Sequence, residues 1–411
     1  MEANNRERGQ EWLRCARPAK IARMKMRDAS RFLLAAIFLG FSLLGGAPAY
    51  GQVPKSFNSH EVHPDGSITF RYKDAGATKV SLILDGAGDP LPMAKDKDME
   101  GVWSIVTPPL KPEIYGYAFE VDGQGLLDPK NTVVKPNLLF LGNAVTVPGN
   151  TAQLWDAVDV PHGDVHHHFY TSKVVLGLAD GQSEYFVYTP PNYDPKRAHP
   201  YPVLYLLHGW SDLANGWTEV GQANFILDNL IAQGKAQPMV VVMPLGYGDM
   251  KFVLGGDGGW DDPKSIDHNV DLFTQALLTE VLPRVESAYH VSRDRNDRAI
   301  TGLSMGGLES LSIGLTHSEQ FAWVGGFSSA AGSLVGHQRL ANLNGKTANL
   351  RLLWIACGTD EGLIKPNREL ISWLKTKGMT VTAIETPGMH DWMVWRDNLS
   401  HFAPLLFQKA K

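Results

Sequence analysis

Apolar residues follow two different rhythms along this chain. From about residue 171, short apolar runs at 185–188, 203–207, 239–243, 298–301, 352–356 and 380–385 alternate with longer helix-like stretches at 224–232, 272–288, from 307, and at 367–377. Apolar strand cores separated by helices predict a doubly wound α/β sheet covered on both faces. Residues 56–145 read differently. Short runs rich in β-branched and aromatic residues, at 67–72, 79–84, 102–106 and 115–121, are separated by Pro64-Asp65-Gly66, Asp85-Gly86, Pro108-Pro109 and Asp122-Gly123. That turn chemistry, with no helical stretch between, predicts a small all-β sandwich. Residues 146–170, with Pro148-Gly149, Pro161 and Gly163, read as a connection. The triplet His166-His167-His168 lies in it. Neighbours on an extended chain point to opposite faces, so three in a row do not converge on one metal ion, and a polar strand or linker is expected instead.

The first 51 residues stand apart from both patterns. Lys25, Arg27 and Arg31 precede an apolar run of 13 from Phe32 to Leu44, and small residues follow at Ala47, Ala49 and Gly51. This is the layout of a secretory signal peptide cleaved near Ala49 or Gly51. Thirteen residues would span only about 20 Å of a hydrocarbon core about 30 Å thick, so a membrane anchor fits less well. The mature protein is expected to be secreted or periplasmic, with no membrane association after processing. Met24 and Met26 are alternative starts, because 23 residues before Met24 make a long basic region.

Composition narrows the partners. The 411 residues are 44% hydrophobic and 20% charged, which is globular. Formal net charge is −5, but the leader holds nine of the basic and four of the acidic residues, so the remainder carries −10. An acidic body argues against nucleic acid or anionic membrane as a partner. Of the two cysteines, Cys15 lies in the leader, which leaves Cys357 without an intramolecular partner after processing.

The chemistry concentrates late in the chain. Gly302-Leu303-Ser304-Met305-Gly306-Gly307 follows a strand and opens a helix. That is the context the G-x-S-x-G turn requires, since side chains at 302 and 306 would collide with neighbouring backbone. A serine hydroxyl needs a base, and the base needs an orienting carboxylate. Of His317, His337, His390 and His401, only His390 directly follows a predicted strand, so it is the expected base. The run Cys357-Gly358-Thr359-Asp360-Glu361 ends another strand, and Asp360 is the expected acid, with Glu361 and Asp391 as competitors. Two backbone amides are needed for the oxyanion. That of Met305 follows the nucleophile, and that of Trp210 follows the early strand through His208-Gly209. The glycine-rich segment Gly255–Asp262 lacks calcium-loop spacing and is expected to be a mobile loop on the substrate side. No H-E-x-x-H, paired C-x-x-C or phosphate loop occurs in the sequence, so neither a metal nor a cofactor is expected.

Four segments together resemble the esterase D superfamily: 201–209 (YPVLYLLHG), the Gly302–Gly307 turn, Cys357-Gly358-Thr359-Asp360, and Gly388-Met389-His390-Asp391-Trp392. They occur in the order of that family and span nearly all of 171–411. The resemblance implies an α/β-hydrolase fold and a triad at Ser304, Asp360 and His390. The segment 56–145 resembles the immunoglobulin-like early-set domains, related to family 48 carbohydrate-binding modules, that precede some secreted esterases. The combination is most similar to bacterial feruloyl esterases. The family usually has a small residue where this chain has Trp210. The expected organisation is therefore a leader at 1–51, a sandwich at 56–145, a linker at 146–170 and a catalytic α/β domain at 171–411. The expected activity is serine ester hydrolysis on hydroxycinnamoyl esters of plant xylan. An acetylxylan esterase, an enterochelin-type siderophore esterase and a non-catalytic carbohydrate-binding protein are the alternatives. Trp217 and Trp260, in loops near the carboxyl edge of the sheet, are expected to meet substrate. A sandwich held apart from the catalytic centre would assist polymeric substrates more than small esters.

Overall fold

The computed structural model describes residues 57–255 and 258–408. The expected signal peptide and its cleavage site lie outside the described residues. Among the described residues no helix is long and apolar enough to cross a membrane.

The frame of the molecule is an eight-stranded sheet. Its strands are β1 (Asp164–Thr171), β2 (Gln182–Thr189), β3 (Val203–Leu207), β4 (Val240–Pro244), β5 (Arg298–Gly302), β6 (Trp323–Phe327), β7 (Leu352–Gly358) and β8 (Thr382–Thr386). They lie in the order β1-β2-β4-β3-β5-β6-β7-β8. The first two pairings are antiparallel and the remaining five parallel. Strand β3 is buried at all five positions, as a strand covered on both faces must be. Alternation then sorts its residues between two cores. Val203, Tyr205 and Leu207 pack with Phe273, Leu311 and Leu370 on one side. Leu204 and Leu206 pack with Ile226, Leu227 and Leu399 on the other. The helices that supply these residues are α1 (Ala223–Ala232), α2 (Pro263–Ala276), α3 (Met305–Thr316), α4 (Ile364–Thr376) and α5 (Trp392–Phe402). This is the α/β-hydrolase arrangement expected from the sequence.

The expected linker is corrected at its end. Residues 164–171 are not a connection but the edge strand β1, in full antiparallel register with β2. The three histidines face different partners there. His167 Nε2 bonds Glu184 at 2.7 Å, His168 Nε2 bonds the Tyr289 hydroxyl at 2.5 Å, and His166 Nε2 lies 3.4 Å from Thr189 Oγ1.

Ahead of this sheet, residues 60–147 form two antiparallel sheets, built around Ile68–Lys73 with Val102–Val106, and around Val80–Leu84 with Glu113–Val121 and Gly142–Val147. Both contribute to one core, with Phe70 and Trp103 from the first meeting Leu82, Phe119 and Val145 from the second. The two-sheet unit is bound tightly to α5. Arg396, fully buried, donates to the Glu113 carboxylate at 2.9 and 3.1 Å and to the carbonyls of Ile114 and Val220. A guanidinium removed from water needs such saturation, and loss of either charge would strand the other. The same unit reaches the loop after β3, where the Leu138 amide donates to the Ser211 carbonyl at 2.7 Å.

Candidate active site

Ser304 stands between β5 and α3 with φ +52° and ψ −112°, a backbone conformation a side-chain-bearing residue rarely adopts. The turn is possible because its flanks are glycines. A Cβ at Gly302 would lie 2.6 Å from the backbone of Gly306, and one at Gly306 would lie 2.4 Å from the His208 carbonyl oxygen. The strained turn lifts the hydroxyl above the sheet, where it meets His390 Nε2 at 3.0 Å. His390 sits in the loop between β8 and α5, its ring edge-on to Trp395.

The carboxylate on the other ring nitrogen belongs to Glu361, which pairs with His390 Nδ1 through Oε2. Its second oxygen, Oε1, accepts from the Gly358 amide at 2.6 Å, Ser328 Oγ at 2.5 Å and Cys357 Sγ at 3.2 Å. Burial alone would raise this carboxyl, but the bonds from His390, Ser328 and Cys357 outweigh it and hold it below the ordinary carboxylate range. It is therefore the ionised partner that an imidazolium forming at His390 needs.

The expectation of Asp360 in this place is corrected. After β7 the amides of Thr359 and Asp360 donate to the carbonyls of Thr386 and Gly388, which turns the Asp360 side chain outward. It is exposed and accepts only from Thr359 Oγ1, at 3.1 Å. The next residue, Glu361, is turned back beneath the histidine. The third contender, Asp391, is the N-cap of α5, its Oδ1 accepting from the Val394 amide. Ser328 and Cys357, which anchor Glu361, were not found by sequence reasoning; Ser328 carries no motif, and Cys357 was noted only for its lack of a disulfide partner.

The two expected oxyanion donors, the amides of Met305 and Trp210, belong to the Ser304 turn and to the loop after β3. Met305 is the first residue of α3, where an amide has no partner within its helix. Trp210 lies in the loop after β3, and both residues flank the Ser304 turn. Among the described residues neither amide donates to a protein acceptor. The Trp210 loop is held by two buried side chains. His208 donates through Nδ1 to the Gly209 carbonyl and accepts the Gly246 amide at Nε2. Burial pushes its pKa down to about 4, so the ring stays neutral and keeps that one tautomer. Asp212 accepts from the Gly209 amide at 3.3 Å and from Asn137 Nδ2 at 3.0 Å.

Burial raises the Asp212 pKa to about 7, against the lowering pull of Lys135 and the Asn137 bond. The folded protein thus binds a proton on Asp212 more tightly than the unfolded chain, whose value is about 3.9. The penalty of ionising it is absent below the unfolded value and grows as pH rises to the folded one. An Asp212→Asn variant lacks that penalty. Its melting temperature relative to the unaltered protein is expected to rise between pH 4.5 and pH 8, measured by differential scanning calorimetry; a pH-independent difference would refute the assignment.

A cavity of about 450 Å³ opens over Ser304 and His390. Phe140, Trp210 and Trp260 give it aromatic walls, and Asp85, Lys135 and Asn137 line it from the two-sheet unit. Trp260 lines this cavity, its ring centroid 4.9 Å from that of Phe252. Trp217 does not, and its expected substrate contact is corrected. It is fully buried, its indole N–H donating to the Leu207 carbonyl at 2.9 Å and its ring packed on Trp392 and Phe327. The expected separation of sandwich and catalytic centre is also corrected, because Phe140 faces Trp210 across the cavity mouth with ring centroids 6.3 Å apart.

The model of the Esterase family matches residues 179–405, more than half of the chain. The chain belongs to the Esterase family. This esterase is 29% identical over 353 residues to an endo-1,4-beta-xylanase/feruloyl esterase of Xylanibacter ruminicola, covering 84% of the chain and 46% of that protein. The chain therefore spans less than half the length of this relative. It is 24% identical over 235 residues to an acetyl esterase of Caldicellulosiruptor saccharolyticus, covering 48% of the chain and 80% of that protein. Among solved structures, a ferulic acid esterase superposes with a TM-score of 0.51 at 26% identity, covering 60% of this chain and 99% of that one. The enterochelin esterase of Shigella flexneri gives a TM-score of 0.63 at 17% identity, covering 85% and 95%, a likeness of fold.

Proposed function

We propose that this esterase is an exported serine carboxylesterase that releases hydroxycinnamoyl groups from plant xylan. The observation that carries the reading is the hydrogen-bonded line from Ser304 through His390 to Glu361 at the floor of an aromatic-walled cavity. Ser304 Oγ attacks the ester carbonyl while His390 Nε2 takes its proton, and Glu361 stabilises the imidazolium. The amides of Met305 and Trp210 receive the oxyanion. His390 then returns the proton to the departing alkoxide, and water releases the acyl group by the same steps in reverse.

Three features support an aromatic acyl group. Phe140, Trp210 and Trp260 supply ring faces on which a phenyl ring stacks. An acetyl group would leave most of a 450 Å³ cavity unfilled. Apart from the buried Asp212, whose neutral form is favoured, the lining holds Asp85 and Asp391 against Lys135 alone, which does not suit a polyanionic siderophore. The relatives named for feruloyl ester cleavage point the same way. We further assign residues 60–147 to the immunoglobulin-like early-set class, residues 148–163 to the connection, and the leader to export. In an assay with methyl ferulate, 4-nitrophenyl acetate and enterobactin, kcat/KM is expected to be highest for methyl ferulate. Preference for enterobactin would make the protein a siderophore esterase, and preference for acetate an acetyl esterase.

A further inference from the structure

A second cleft, of about 850 Å³, lies between the two-sheet unit and the loop that carries His390. It shares two lining residues, Asp85 and Asp391, with the catalytic cavity, so the two spaces adjoin at that boundary. The loop after β8 divides them. His390 faces the catalytic cavity, whereas Gly388 and Met389, just before it, line the second cleft.

The chemistry assigns a role to each side of this boundary. The general acid of the acylation step protonates the leaving oxygen, so the alcohol half of an ester must lie on the histidine side of the reacting carbon. The space beyond His390 on that side is the second cleft. Its walls combine flat apolar faces with acceptors. Leu91, Pro108, Pro109 and Met393 supply the former, and Asp360 and Asp397 the latter. At the boundary, Asp391 is 8% exposed and its Oδ2 has no protein partner. Carboxylates accept from hydroxyl donors and repel anions, while proline and aliphatic faces suit the C–H faces of pyranose rings.

We propose that this junction cleft is a subsite for the alcohol half of the substrate, a neutral oligosaccharide carrying the ester. The inference rests on the proposed ester hydrolysis at Ser304 and adds the group that leaves. It gives the two-sheet unit a function in substrate binding, since Leu91, Pro108 and Pro109 all come from it.

The test compares methyl ferulate with a feruloylated arabinoxylotriose, which share the acyl group and differ only in the alcohol. Ala87→Trp places a large side chain in the second cleft from an exposed turn that does not line the catalytic cavity. The unaltered enzyme is expected to show a kcat/KM about tenfold or more higher for the trisaccharide ester, and Ala87→Trp to remove that advantage while changing methyl ferulate by less than about twofold. Pro109→Trp, entering from another wall, is expected to act alike. Equal losses on both esters, or no loss on either, would overturn the subsite and leave the ester hydrolysis intact. If neither ester is cleaved, the acyl assignment fails instead. Calorimetry of free arabinoxylotriose with the Ser304→Ala protein then decides the subsite. Binding abolished by Ala87→Trp upholds it, and absence of binding, or binding that survives the substitution, overturns it.

Discussion

Ser304→Ala is expected to lower kcat on a small ester by about 10⁵-fold or more, leaving the turnover that oxyanion binding alone provides. The magnitude follows from the geometry: the hydroxyl is held 3.0 Å from His390 Nε2 on a strained turn, and alanine leaves the base with nothing to activate. His390→Ala is expected to cost about as much, because nucleophile and base act as one unit. Steady-state kinetics on 4-nitrophenyl acetate reads this directly. A loss of less than about a hundredfold for Ser304→Ala would place the nucleophile elsewhere.

The second large effect belongs to Glu361. Glu361→Gln is expected to lower kcat by about 10³- to 10⁴-fold, since an amide cannot stabilise the imidazolium and invites the wrong tautomer at His390. Asp360→Asn, one residue away, is expected to change kcat on 4-nitrophenyl acetate by less than about threefold, because its carboxylate points away from His390 and bonds only Thr359. Circular dichroism of both variants separates lost chemistry from lost fold. The contrast is sharp enough that the opposite order, with Asp360→Asn the damaging change, would refute the Glu361 assignment.

That single-residue offset marks the limit of what the sequence could convey. Ser304 was legible because the turn imposes glycines at 302 and 306 for steric reasons that leave a written trace. His390 was legible because it alone of the later histidines follows a strand. The acid was narrowed to a loop, but which of two adjacent carboxylates turns inward is decided by the backbone bonds of Thr359 and Asp360 to the end of β8. Such long-range pairing leaves no local signal.

The fold shows the same division. Strand β3 was read from its uninterrupted apolar run, and its observed bounds match. Strand β6, Trp-Val-Gly-Gly-Phe, is missing from the apolar runs, because two glycines interrupt it. They are there for close packing, as a Cβ on Gly325 would meet Thr301 and Phe402 and one on Gly326 would meet Ser329 and Leu311. Strand β1 is only half legible: its histidines read as a polar strand or a linker, since an edge strand facing water shows no apolar run to decide between them. Trp217 illustrates the reverse error. Its loop position suggested a ligand contact, but its indole found a carbonyl partner inside the core. The wall that Lys135 and Phe140 contribute to the catalytic cavity was beyond reach, because it depends on how the two-sheet unit packs against α5 and the loop after β3.

Everything above turns on Ser304 acting as the nucleophile of a working triad. Mass spectrometry after incubation with a fluorophosphonate ester tests it most directly, because only an activated serine reacts readily. One phosphonyl group per chain is expected, mapped to the peptide containing Ser304, and none in Ser304→Ala or His390→Ala. Labelling that persists in Ser304→Ala, or a folded, unaltered protein that takes up no label, would contradict it.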